Sequence, residues 1–198
     1  MLGKKENALI ISYFKNKLSM IEMELNKTIY ERIANVIEDA NSRGLLSSGM
    51  TIGGMVKVLS DEVFFQVINS IKMIDEFQSK MNLKLENESL DEIGNLFSEF
   101  FTTYYVNQYS TNITEKAKRF IGENLANNIT NNVAMGNTVN NIIRTINKEV
   151  NEIKIKNKVK KDEPSIRIAK KSLMNSRLAL FVSIIATGIT VYLNFFYK

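Results

Sequence analysis

Apolar side chains recur through the first forty residues at Ile10, Phe14, Leu18, Ile21, Leu25, Ile29, Ile33, Val36 and Ala40. The steps are all threes and fours, the spacing that stacks one face of an α-helix, and never the twos of a strand. This spacing predicts one helix from about Lys5 to Arg43, ended by Gly44 as a C′ residue. A stripe of that length needs other helices to bury it. The 198 residues contain one proline, Pro164, and nine glycines. A β-sandwich or barrel needs many more turn residues. The expected fold is all-α: an antiparallel bundle of long amphipathic helices with a C-terminal single-pass transmembrane helix.

The remaining helices follow from caps and periodicity. Thr51 reads as the N-cap of a second helix reaching about Met81, with Met55, Val58, Leu59, Val63, Phe64, Val67, Ile71 and Ile74 on its apolar side. Ser89-Leu90-Asp91-Glu92 has the capping-box pattern and opens a third helix. Its Phe97, Phe100, Phe101, Tyr104 and Tyr105 form the expected centre of the core. Asn112-Ile113-Thr114-Glu115 opens a fourth helix to about Asn131. Gly136 and Thr138 mark a break before a fifth, from Val139 to about Lys160. Asp162-Glu163-Pro164 then interrupts the chain. Gly49–Val63 and Gly136–Val150 share Gly, Thr, Glu and Val at equal offsets. That is either a duplicated helical hairpin or the likeness of any two Gly/Thr-initiated amphipathic helices.

Charge is unevenly distributed. Residues 1–150 hold 16 Lys and Arg against 18 Asp and Glu, a net of −2. Residues 151–198 hold 10 against 3, a net of +7. The basic residues Lys154, Lys156, Lys158, Lys160, Lys161, Arg167, Lys170, Lys171 and Arg177 stop where LALFVSIIATGITVYLNFFY begins. These 20 residues, 178–197, carry no charge. As a helix rising about 1.5 Å per residue they span roughly 30 Å, the thickness of a bilayer's hydrocarbon core. Tyr192, Phe195, Phe196 and Tyr197 lie towards one end, where aromatic rings suit the interface. A buried core helix is the alternative, but such helices usually keep a polar stripe.

The expected organisation is a cytoplasmic helical bundle over 1–160, a basic juxtamembrane segment over 161–177 and an anchor over 178–197. The N-terminus has no signal-peptide apolar run, so tail-anchored topology with the basic side cytoplasmic is expected. The basic residues set that topology and also suit anionic lipid headgroups. Nucleic acid is the weaker reading, because no recognition-helix pattern accompanies the charge. Within the anchor, Ala179, Ser183, Ala186 and Thr190 are small, fall at steps of four, three and four, and offer a surface for helix association.

Chemistry-bearing residues are sparse. The sequence has no Cys, His or Trp. Disulfides, thiol nucleophiles, thiolate zinc sites and every arrangement built on histidine are therefore excluded. No phosphate-loop, dinucleotide, nucleophile-elbow or HExxH motif occurs. No cofactor and no metal are expected, and acidic pairs such as Glu22/Glu24 and Glu86/Glu88 read as solvated surface. The 24 asparagines fit the codon usage of an AT-rich bacterial or phage genome. The expectation is a non-enzymatic, membrane-anchored protein acting by self-assembly or by contact with a protein partner. The alternative is a membrane-perturbing or holin-like effector of phage lysis or defence.

Overall fold

The computed structural model describes residues 4–130 and 135–159. Among them every regular element is helical: α1 (Lys4–Ser42), α2 (Gly49–Lys80), α3 (Asn87–Gln108), a π-helical turn (Tyr109–Thr114), α4 (Glu115–Ile121), α5 (Glu123–Ile129) and α6 (135–159). The chain divides into two units, Met1–Lys154 and Ile155–Lys198. Only residues 155–159 of the second are described, as the last turn of α6. The anchor 178–197 and its small residues Ala179, Ser183, Ala186 and Thr190 lie outside the described residues. So do the basic residues from Lys160 onward and the Pro164 interruption. Among the described residues no helix is long and apolar enough to cross a membrane.

Short connections reverse the chain between long helices. The ring of Tyr13 meets Phe77 at 5.0 Å, Arg32 pairs with Glu62, and Val36 abuts Gly54, so α1 and α2 are antiparallel. Ser60 and Tyr105 share a hydrogen bond of 3.2 Å, and α3 runs back along α2. Two reversals leave α3 parallel to α1: Asn7 bonds Glu92, Phe14 meets Phe97, and Asn26 bonds Tyr104. Helix α6 descends along α3, with Gly94 against Val150 and Asp91 paired with Lys154.

One core joins these helices. Phe14, Leu25, Met55, Leu59, Ile74, Phe97, Phe101 and Tyr105 are fully buried within it. The expected inward stripe of α1 is buried throughout, apart from half-buried Val36. Met55, Leu59 and Val63 of α2 correspond in the internal similarity to Ile142, Ile146 and Val150 of α6, and all six are buried.

Both long-helix exits use the same device. At the end of α1, Gly44 (φ +68°) donates to Asn41 and Leu45 donates to Ala40. At the end of α2, Asn82 (φ +48°) donates to Ser79 and Leu83 donates to Gln78. These paired bonds satisfy carbonyls that the helix itself leaves open.

Several expected boundaries are corrected. The N-cap of α2 is Ser48, whose side chain accepts from the Thr51 N–H. Thr51 sits in the first turn, and its hydroxyl donates to the Leu45 carbonyl at 2.7 Å. Glu86, not Ser89, precedes α3, and Ser89 is buried in the first turn. The break expected at Asn112 is absent, because α3 continues through the π turn into α4. Phe101, Tyr105, Tyr109, Ile113 and Ala117 are all buried at successive steps of four. In a regular α-helix each such step drifts about 40° around the axis. The wider π turn absorbs that drift and keeps the row facing the core. The actual break is at Gly122 (φ +80°, ψ 159°), a backbone state open to glycine. Gly136 and Thr138 lie inside α6 and do not begin it.

Candidate functional site

Parallel packing of α1 and α3 leaves a groove of about 550 Å³ along their contact. Its floor is Leu18, Leu96 and Phe100, and its walls carry Lys15, Ser19, Glu22, Asn26, Glu99 and Asn107. The groove arises because α1 presents polar residues beside its apolar stripe, at 15, 19, 22 and 26, and α3 does the same at 99, 103 and 107. The Phe100 and Tyr104 rings stack with centroids 6.2 Å apart.

A line of polar bonds runs from this groove along the π turn. The Tyr104 hydroxyl donates to Asn26 Oδ1 at 2.9 Å, and Gln108 Nε2 donates to the same oxygen at 3.1 Å. Asn112 Nδ2 donates to Gln108 Oε1, and Lys116 Nζ donates to Asn112 Oδ1 at 3.3 Å. Each link pairs one donor with one acceptor, so these amides are ordered in a single direction. Burial, and then the charge of Glu22, holds the Tyr104 phenol above its ordinary range. Tyr109 is shifted the same way, by burial and then by Tyr105. Burial, and then Arg119, lowers the Lys116 ammonium. The Tyr104 hydroxyl is thus a fixed donor, engaged with an amide and not with a base. The arrangement supplies hydrogen bonds, two carboxylates and an aromatic floor, which suits binding and positioning.

Three of the basic residues expected to meet lipid headgroups are described. Lys154 is largely covered and pairs with Asp91 across to α3, so this ammonium serves the bundle. Lys156 and Lys158 are exposed on the last turn of α6. Among the described residues no group of three or more acidic, His or Cys side chains is placed to hold a metal ion.

Sequence reasoning placed Tyr104 in the core and missed the polar line. A signal was available: Gln108, Asn112 and Lys116 fall at steps of four, as do the buried Tyr109, Ile113 and Ala117 beside them. Read together, they describe a continuous helix with one polar edge where a chain break was inferred. Compared with protein-family models, curated proteins and solved structures, the chain finds no match.

Proposed function

We propose that this chain is a non-enzymatic helical module held at the cytoplasmic face of a bacterial or phage-infected membrane by a single-pass anchor over residues 178–197. It acts by self-assembly or by contact with a protein partner. The observation that carries this reading is the uncharged run of 20 residues directly behind a segment rich in Lys and Arg. That order matches the length a bilayer requires and the charge bias that sets orientation. Exposed Lys156 and Lys158 begin the basic approach to it. Near an anionic leaflet each such residue adds up to about 1 kcal/mol.

Flotation of the full chain with vesicles, followed by a carbonate wash, tests the anchor. Retention with the vesicles is expected, with release on truncation before Leu178. Full-length protein that stays soluble without detergent would end this reading.

A second reading, favoured by the small residues at 179, 183, 186 and 190, is that clustered anchors perturb the membrane. Expression should then collapse the membrane potential, and Ala186→Leu should abolish that effect. A tether that leaves the potential intact would return the anchor to a passive role.

A further inference from the structure

Helix α1 has a second apolar face, opposite the one buried in the bundle. Leu9, Met20, Met23 and Tyr30 are 71%, 63%, 75% and 72% exposed. At about 100° per residue these positions fall in one band, half a turn from the direction of Phe14 and Leu25. With Asn16, Lys27 and Ala34, all exposed, the band steps 4, 3, 4, 3 and 4 from residue 16 to residue 34. Leu9 lies one heptad before Asn16. This is the a/d spacing of a coiled coil, with half-buried Tyr13 at the position between Leu9 and Asn16, on the outward side of a helix whose other side is already packed.

We propose that this seam is the self-association surface of the protein, occupied by the α1 of a second copy running antiparallel. The proposal rests on the self-assembly half of the functional reading and assigns it a surface. Three observations select this occupant and direction. First, one antiparallel register sets Met20 on the second copy's Met23, Asn16 on its Lys27, Leu9 on its Ala34 and Tyr30 on its half-buried Tyr13, whose ring also meets Phe77, each pair occurring twice. Second, the charges agree. Between the Asn16·Lys27 and Met20·Met23 layers, Lys17 of one helix falls beside Glu24 of the other, again twice. A parallel pair would set Lys27 against Lys27 and turn Lys17 and Glu24 towards Ser12, Ser19 and Asn26, where neither finds an opposite charge. Third, covering the exposed side chains on both copies removes roughly 1,000 Å² from water, near the lower bound for a specific interface. The Asn16·Lys27 layers sacrifice some affinity and fix the register.

The chain has no cysteine, so introduced thiols report the register directly. Full-length Leu9→Cys and Ala34→Cys proteins are mixed and oxidised, and each is also oxidised alone. The antiparallel seam predicts disulfide-linked dimers from the mixture and almost none from either alone. In that register the two copies of either residue stand about 37 Å apart along the axis, at 1.5 Å per residue. Links from Leu9→Cys alone would show a parallel pair, and no links in any arm would remove the seam; either result overturns the proposal. Glu24→Lys added to both partners should lower the yield several-fold, and adding Lys17→Glu as well should restore it. Unchanged circular dichroism separates these effects from misfolding. Vesicle flotation of the same proteins reads the anchor independently. Links without flotation leave the seam and remove the tether, and flotation without links does the reverse.

Discussion

Helix α1 turns Phe14, Leu25 and Ile29 into the bundle and Met20, Met23 and Tyr30 away from it. Both faces step by threes and fours, so period alone does not say which one is core. Chemistry separates them. The inward face is uninterrupted Ile, Leu, Phe, Val and Ala, whereas the outward band is crossed by Asn16 and Lys27. An interior packed at crystal-like density excludes an unpaired amide or ammonium, but a seam between two copies tolerates one per layer. The inward face therefore carries the stability of the folded chain, and the outward face contributes little to it.

The largest test of that contrast is Phe14→Ala. Its ring is fully buried and meets Tyr13, Phe77 and Phe97 at 5.2, 5.5 and 5.7 Å. Truncation should cost about 3–5 kcal/mol by urea denaturation. Phe97→Ala should cost a similar amount. Because the two rings touch, the double variant should depart from the sum of the singles.

The turn that ends α1 and lets α2 fold back against the inward face comes next. Gly44 holds φ +68°, with open space around its Cα. Gly44→Ala should cost about 1–2 kcal/mol through backbone strain alone. An unchanged unfolding midpoint would show that α1 does not need this ending.

Tyr104 joins α3 to the polar edge of α1 between its two faces. Tyr104→Phe removes the bond to Asn26 and should cost about 1 kcal/mol at neutral pH. Its pH dependence has a definite sign. The folded state favours the neutral phenol, so its contribution is complete below about pH 10 and is lost as pH rises through the raised folded value. Tyr109 adds a loss of the same sign, and the lowered Lys116 opposes it. Alkaline titration of stability should therefore fall less steeply in Tyr104→Phe than in the parent chain.

Met23→Ala should move stability by less than about 0.5 kcal/mol, the usual range for exposed sites. A cost comparable to Phe14→Ala would mean that the outward face belongs to the fold.

The legibility of the fold followed how local each cause was. Gly44 was recognisable as a helix ending because glycine adopts positive φ without penalty. Asn82 performs the same task and read only as part of a polar turn, since asparagine is common in many other settings. Caps were displaced for a related reason. Ser48 and Thr51 both suit an N-cap, and choosing between them depends on the Leu45 carbonyl, which the α1–α2 turn presents to Thr51. Ser89 carries a capping-box signature, yet it lies buried in the first turn of α3, behind Glu86. At Asn112 a cap-like tetrapeptide was outweighed by the buried row from Phe101 to Ala117.

The sequence by itself determined that the described chain is helical, most of the apolar residues of α1, α2 and α3 that form its core, and that the basic charge collects just ahead of an uncharged run. Periodicity, composition and charge act over a few turns of chain and are written in the order of residues. The tertiary structure alone decided that α3 runs parallel to α1, that a π turn replaces a break, and that Asn26, Tyr104, Gln108, Asn112 and Lys116 form one polar line. It also decided that Lys154 is bound to Asp91 and that Met20 and Met23 are left outside. Each of these depends on which helix lies beside which. That choice is made by burying the most apolar surface at once, a property of the packed bundle that no single helix contains.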